Sequence, residues 1–106
     1  MKLKLSHFRK TVTTAGTREQ LTTSEVKSPS VSIQALRANT NTVFIGNNQV
    51  SSTTHFVSLA AGGTTVLSAE AFGLAGAQID LSQIWLDVGV NGEGVVVGYL
   101  DRQDSD

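Results

Sequence analysis

The chain contains no cysteine, a single proline, few aromatic residues and no long apolar run. The lack of cysteine excludes disulfides and thiolate metal sites, so stability has to come from packing or association and nothing implies an oxidising compartment. No stretch approaches the ~20 apolar residues of a membrane span, which leaves no membrane partner to expect. Met1 to Lys10 alternates charged with apolar residues and so lacks the continuous apolar region of a signal peptide. The chain therefore reads as soluble, made in a cytoplasm and not exported by a cleavable signal. The six aromatic residues, Phe8, Phe44, Phe56, Phe72, Trp85 and Tyr99, are scattered and form no stacking platform for single-stranded nucleic acid. A net charge of −1 lacks the positive field that nonspecific nucleic-acid binding requires.

What remains is a chain of 106 residues, 40% hydrophobic, enough for one domain and one core. Its charge is unevenly placed. Residues 1–37 hold Lys2, Lys4, Arg9, Lys10, Arg18, Lys27 and Arg37 against Glu19 and Glu25, a net of 7 − 2 = +5. Arg102 against seven acids leaves 1 − 7 = −6 for the rest. Two readings fit: a basic amino-terminal arm that docks on an acidic surface, such as the acidic half of a neighbouring copy, or a basic edge strand whose lysines deter stray pairing.

A period of two dominates the pattern. Leu3 and Leu5 alternate with lysines while Phe8 and Val12 fall out of phase with them, which predicts a bulge or bend. Thr13–Thr17 reads as a turn, and Arg18–Leu21 as the start of one helical turn halted by Thr22-Thr23-Ser24. Pro29 opens a strand over Val31–Ala38 with Val31, Ile33 and Ala35 on one face. Val43 and Ile45 point one way and Phe44 the other, and Gly46-Asn47-Asn48-Gln49 predicts a tight hairpin into Val50. Phe56, Leu59, Val66 and Leu67 mark two short strands around Gly62-Gly63, and Ala69–Ala77 reads as a loop with one turn. Ile84-Trp85-Leu86 is a strand, with Trp85 expected in the core. Asn91-Gly92-Glu93-Gly94 then turns into an antiparallel Val95–Leu100, and Asp101–Asp106 is a frayed tail. About eight short strands at roughly ten-residue spacing predict an antiparallel β-sandwich of jelly-roll type.

Reactive constellations are absent from this pattern. His7 and His55 lie beside no nucleophile elbow, and His55 reads as a structural strand or loop histidine. Asp101, Asp104 and Asp106 lack the glycine and terminal glutamate of a calcium loop. Nothing singles out Asp80, Asp87 and Glu93 as paired catalytic carboxylates, and Glu93 at a hairpin tip is expected to serve solubility. Gly62-Gly63 and Gly73-x-x-Gly76 lack the following Lys and the strand-to-helix setting of a phosphate cradle. The expectation is no enzyme, no catalytic residue, no metal and no cofactor. Ser and Thr, roughly a fifth of the chain, supply hydroxyls without reactive partners and suit a contact surface.

The order Asn41-x-Val43-Phe44-Ile45-Gly46, Val50-Ser51, Leu59-x-x-Gly62, Leu81-Ser82-x-Ile84-Trp85-Leu86-Asp87 and Gly94-Val95-x-Val97-x-Tyr99 resembles small β-sandwich virion proteins of tailed bacteriophages. It departs from them at His55-Phe56, where Gly is common, and before Gly62, where Pro is common. The resemblance implies a structural virion protein: a capsid decoration or cement protein that binds the outside of the head, stabilises it and resides in the virion after assembly in the host cytoplasm. The implied partners are the major capsid protein or other virion proteins, with association into a homo-oligomer. The expected layout is a basic arm and first strand over 1–28, a sandwich core over 29–100 and the tail over 101–106. Partner contacts are expected at Lys2, Lys4, Phe8, Arg9 and Lys10. The alternative is a tail-fibre or baseplate module binding host glycans through Asn47, Asn48, Trp85 and Asn91.

Overall fold

The computed structural model describes the backbone of residues 2–74 and 76–103, with the side chains of all these except residues 2, 3, 102 and 103. Ten strands follow in order: β1 (Lys2–Thr11), β2 (Glu19–Gln20), β3 (Lys27–Ser28), β4 (Ser30–Ala35), β5 (Val43–Gly46), β6 (Val57–Leu59), β7 (Thr64–Ser68), β8 (Ile79–Asp80), β9 (Trp85–Val88) and β10 (Gly94–Gln103). Two antiparallel four-stranded sheets, ordered β1-β10-β4-β7 and β2-β9-β5-β6, make an all-β sandwich, and β3 pairs with β8 apart from them.

The pairings nest. β1 lies against β10, β2 against β9, β3 against β8, β4 against β7 and β5 against β6. The chain is thus one antiparallel ribbon, doubled back at the loop around Ser51–Thr54 and rolled so that successive rungs fall in alternate sheets. Eight strands distributed in this way form a jelly roll; β3–β8 adds a short ninth and tenth. Nesting also accounts for the charge asymmetry within one molecule. The outer rungs join the basic first part to the acidic last part, placing Lys4 opposite Asp101 and Lys27 opposite Asp80.

Alternation delivers the core. Val31, Ile33 and Ala35 of β4, Val43 and Ile45 of β5, Leu86 and Val88 of β9, and Val95 and Val97 of β10 are all buried between the sheets. Several local expectations give way to this long-range arrangement. β1 keeps one unbroken register from Lys2↔Gln103 to Thr11↔Gly94, so no bulge corrects its phase; Phe8 and Val12 take the core side and Leu5 is left 70% exposed outside. Arg18–Leu21 makes no helical turn, because Glu19 and Gln20 pair with Leu86 and Trp85. The Asn47 turn leads into no strand: Val50 folds back as a buried loop residue, and the next strand to pair with β5 is β6, after ten intervening residues. The turn before Gly94 passes between sheets, so β10 pairs with β1 and β4 rather than with β9. Asp101–Gln103 continue β10 as strand, and residues 104–106 lie outside the described residues. Ala69–Ala77 holds one 3₁₀ turn, Glu70–Phe72, closed by Gly73 at φ 77°.

Candidate interaction surface

β1 is not a detached arm. It is an edge strand, paired along all ten residues with β10 on one side and, among the described residues, with no strand on the other. The orientation of its free groups follows from its end. Just past β1, the Val12 amide donates to the Glu93 carbonyl at 2.9 Å, and an antiparallel ladder repeats every two residues. The amides of Lys4, Ser6, Phe8 and Lys10 therefore face β10, whereas those of Leu5, His7, Arg9 and Thr11 face outward. An open row of this kind is a template for further strand pairing.

The structure divides the five expected contact residues. Phe8 turns to the core side, where its ring meets Tyr99 edge-on with centroids 6.1 Å apart. Lys10 is held by Glu19, Nζ to Oε1 at 2.8 Å, and the same carboxylate accepts the Thr13 amide at 3.0 Å. The Lys10 ammonium and that amide hold the Glu19 carboxyl below its ordinary value. Lys4 and Arg9 are exposed on opposite faces of the strand, and the Lys2 side chain lies outside the described residues. Leu5 and His7, absent from the expected set, share the outer face with Arg9. There the register places His7 beside Gly98, Ser32 and Val66 in succession, and Arg9 beside Val96 and Gln34. Strict alternation from Phe8 was the signal for this division.

β4 pairs with β10 only over Val95–Tyr99, so the β1–β10 ribbon runs on past the sandwich and helps give the molecule its 43 Å length against widths of 25 and 22 Å. Two depressions flank the Gly46–Gln49 turn. One, of about 370 Å³, is apolar: Ile45, Leu67, Ile79 and Ile84 lie within it, with Phe56 and Phe72 at its mouth, ring centroids 6.2 Å apart. The other, of about 540 Å³, gathers Trp85, Arg18, Asn48 and Gln49. Trp85 is partly exposed rather than in the core, because Leu86 and Val88 take the inward phase of β9. Asn91 is at the other end of β9, its side-chain oxygen accepting the Ala15 amide at 2.7 Å.

The three carboxylates considered for chemistry each serve a separate structural bond. Asp80 accepts the Ser82 amide at 3.0 Å and its hydroxyl at 2.7 Å, capping the 3₁₀ turn Leu81–Gln83. Asp87, buried, accepts the Gly16 and Val88 amides at 2.9 and 2.8 Å and ties the 13–17 turn to its sheet. Glu93 does more than aid solubility: it accepts the Thr40 amide at 2.6 Å, the Thr40 hydroxyl at 2.8 Å and the Asn41 amide at 3.1 Å. Those bonds, the Thr40 amide foremost, hold its carboxyl below the ordinary value. His55 is an exposed loop residue with its ring 5.0 Å from that of Phe44. Among the described residues no three of His, Cys, Asp and Glu come together in a way that would hold a metal ion.

Comparison with protein-family models, curated proteins and solved structures found no match. The likeness to phage virion proteins accordingly rests on the order of residues quoted above.

Proposed function

We propose that this chain is a structural attachment protein of the capsid-decoration kind, which docks on a larger protein shell through the outward edge of β1 and the side chains beside it. The observation that carries the reading is the ten-residue edge strand itself, regular in register, uncovered on one side and flanked by exposed Lys4, Leu5, His7 and Arg9. Free amides and carbonyls supply main-chain pairing to an extended segment, while side chains supply selectivity. The exposed cationic side chains of Lys4 and Arg9 favour an acidic partner over a second, equally basic β1. Several copies on one shell multiply a weak contact through effective concentration.

The test is a chain-specific label viewed by electron microscopy on particles of the virus that encodes the chain. The proposal expects label on the head surface, released as salt is raised because exposed charges are screened. It also expects the double variant Lys4→Glu/Arg9→Glu to bind less well at low salt. Label confined to the tail, or no label on particles, contradicts it.

A further inference from the structure

We propose that the depression at Trp85 binds an acidic saccharide. Its floor is an indole that the phase of β9 holds outside the core. On one side the register sets Gln20 of β2 opposite Trp85, and the Gly16-Thr17-Arg18 segment leads into that strand. On the other side β5 sets Gly46 opposite Trp85, and Asn48 and Gln49 follow in the turn. The turn is fixed from within, since the Asn47 side-chain oxygen accepts the Gln49 amide at 2.8 Å and the Asn47 carbonyl accepts the Val50 amide at 3.0 Å. Val50 then anchors it in the interior. The opposite wall is fixed as well, because buried Asp87 accepts the Gly16 amide at 2.9 Å. Both walls are therefore shaped before any ligand arrives, which lowers the ordering cost of binding.

The chemistry of the lining selects the ligand class. A sugar ring has a C–H face that packs against an indole and a rim of hydroxyls that exchange hydrogen bonds with side-chain amides, each of which offers a donor and an acceptor. Asn48 and Gln49 present such amides at the exposed rim. Ion pairs among the described residues join Lys10 to Glu19 and Lys27 to Glu25, while Arg18 stands exposed at the depression. A guanidinium takes a carboxylate by two parallel hydrogen bonds, so a uronate or another carboxylated sugar fits better than a neutral one. The volume of about 540 Å³ falls within the roughly 300–1,000 Å³ range of small-ligand sites. These residues are distinct from the β1 edge, so the saccharide site and the shell attachment stand or fall separately.

Trp85 is the chain's single tryptophan, so its emission reports on this depression alone. The full chain is titrated with tetragalacturonate, with maltotetraose as the neutral counterpart and tetraglutamate as the acidic peptide. The expected result is a saturable emission change with tetragalacturonate at a Kd below about 1 mM. Arg18→Gln weakens it about tenfold, as loss of one charge-assisted contact does, and Asn48→Ala weakens it further. Both substitutions are at exposed positions, and unchanged thermal melting shows that the fold persists. No saturable change with tetragalacturonate, equal binding of maltotetraose, equal binding of tetraglutamate, or undiminished binding by the Arg18→Gln variant would each overturn the proposal.

Discussion

Glu93 sits at the tip of the turn between β9 and β10, yet it fastens that turn to the Thr40–Asn41 segment that leads into β5. Glu19 does the equivalent between β1 and β2, gripping Lys10 and the Thr13 amide. Both carboxyls are held below the ordinary glutamate value of 4.5 in the folded chain. A depressed folded value means that the contribution to stability is complete above the unfolded value and is lost as pH falls through the folded one. The predicted thermal stability is therefore flat above about pH 5 and declines below about pH 4.5. Glu93→Gln and Glu19→Gln each lower stability at neutral pH and flatten that decline. Melting curves from pH 7 down to pH 3 check this, and a decline as steep in the double variant as in the parent contradicts it. Trp85 carries the residue-scale lesson about reading the sequence. Its size favoured burial, but Leu86 and Val88 are two apart, and that phase assigns the indole to the outside.

At the scale of elements, β4 and β5 were legible because their alternation is complete within a few residues and one face of each is wholly buried. Two-residue strands such as β2 and β3 were not legible. They exist only because β9 and β8 lie opposite them, and no local pattern records a partner some fifty or more residues away. The same blindness made sequence neighbours look like hairpins: turn residues between β9 and β10 specify a reversal but not the sheet to which the next strand belongs. The resulting β1–β10 rung is so close at its top that a Cβ on Gly94 would run into the Lys10 carbonyl oxygen and lie 2.6 Å from the Thr11 Cα. Both of these are backbone atoms that no side-chain rotation clears. Gly94→Ala is therefore predicted to destabilise by about 3 kcal/mol or more, against less than 1 kcal/mol for Gly98→Ala, whose Cβ would meet nothing within 4 Å. Urea unfolding of the two variants measures the contrast, and similar midpoints would contradict this close packing. Deleting residues 1–11 is likewise predicted to unfold the domain, because it removes a sheet strand and Phe8 rather than a free arm; circular dichroism of the truncated chain decides that.

For the whole molecule, a ribbon doubled at its middle makes nearly every rung a long-range contact and lays the basic first part beside the acidic last part. The same roll leaves one long strand open. The architecture and core followed from sequence periodicity, whereas the interaction surface did not, because which side of β1 is free depends on β10 occupying the other. The proposed attachment to a shell rests on that free side. Residue-resolved amide hydrogen exchange along β1, in the isolated protein and after attachment to particles, tests it most directly. The predicted result for the isolated protein is alternation: slow exchange at Ser6, Phe8 and Lys10, whose amides bond β10, and fast exchange at Leu5, His7 and Arg9. After attachment the fast set becomes slow. Uniform protection in the isolated protein, or continued fast exchange at Leu5, His7 and Arg9 on the particle, contradicts docking through this edge.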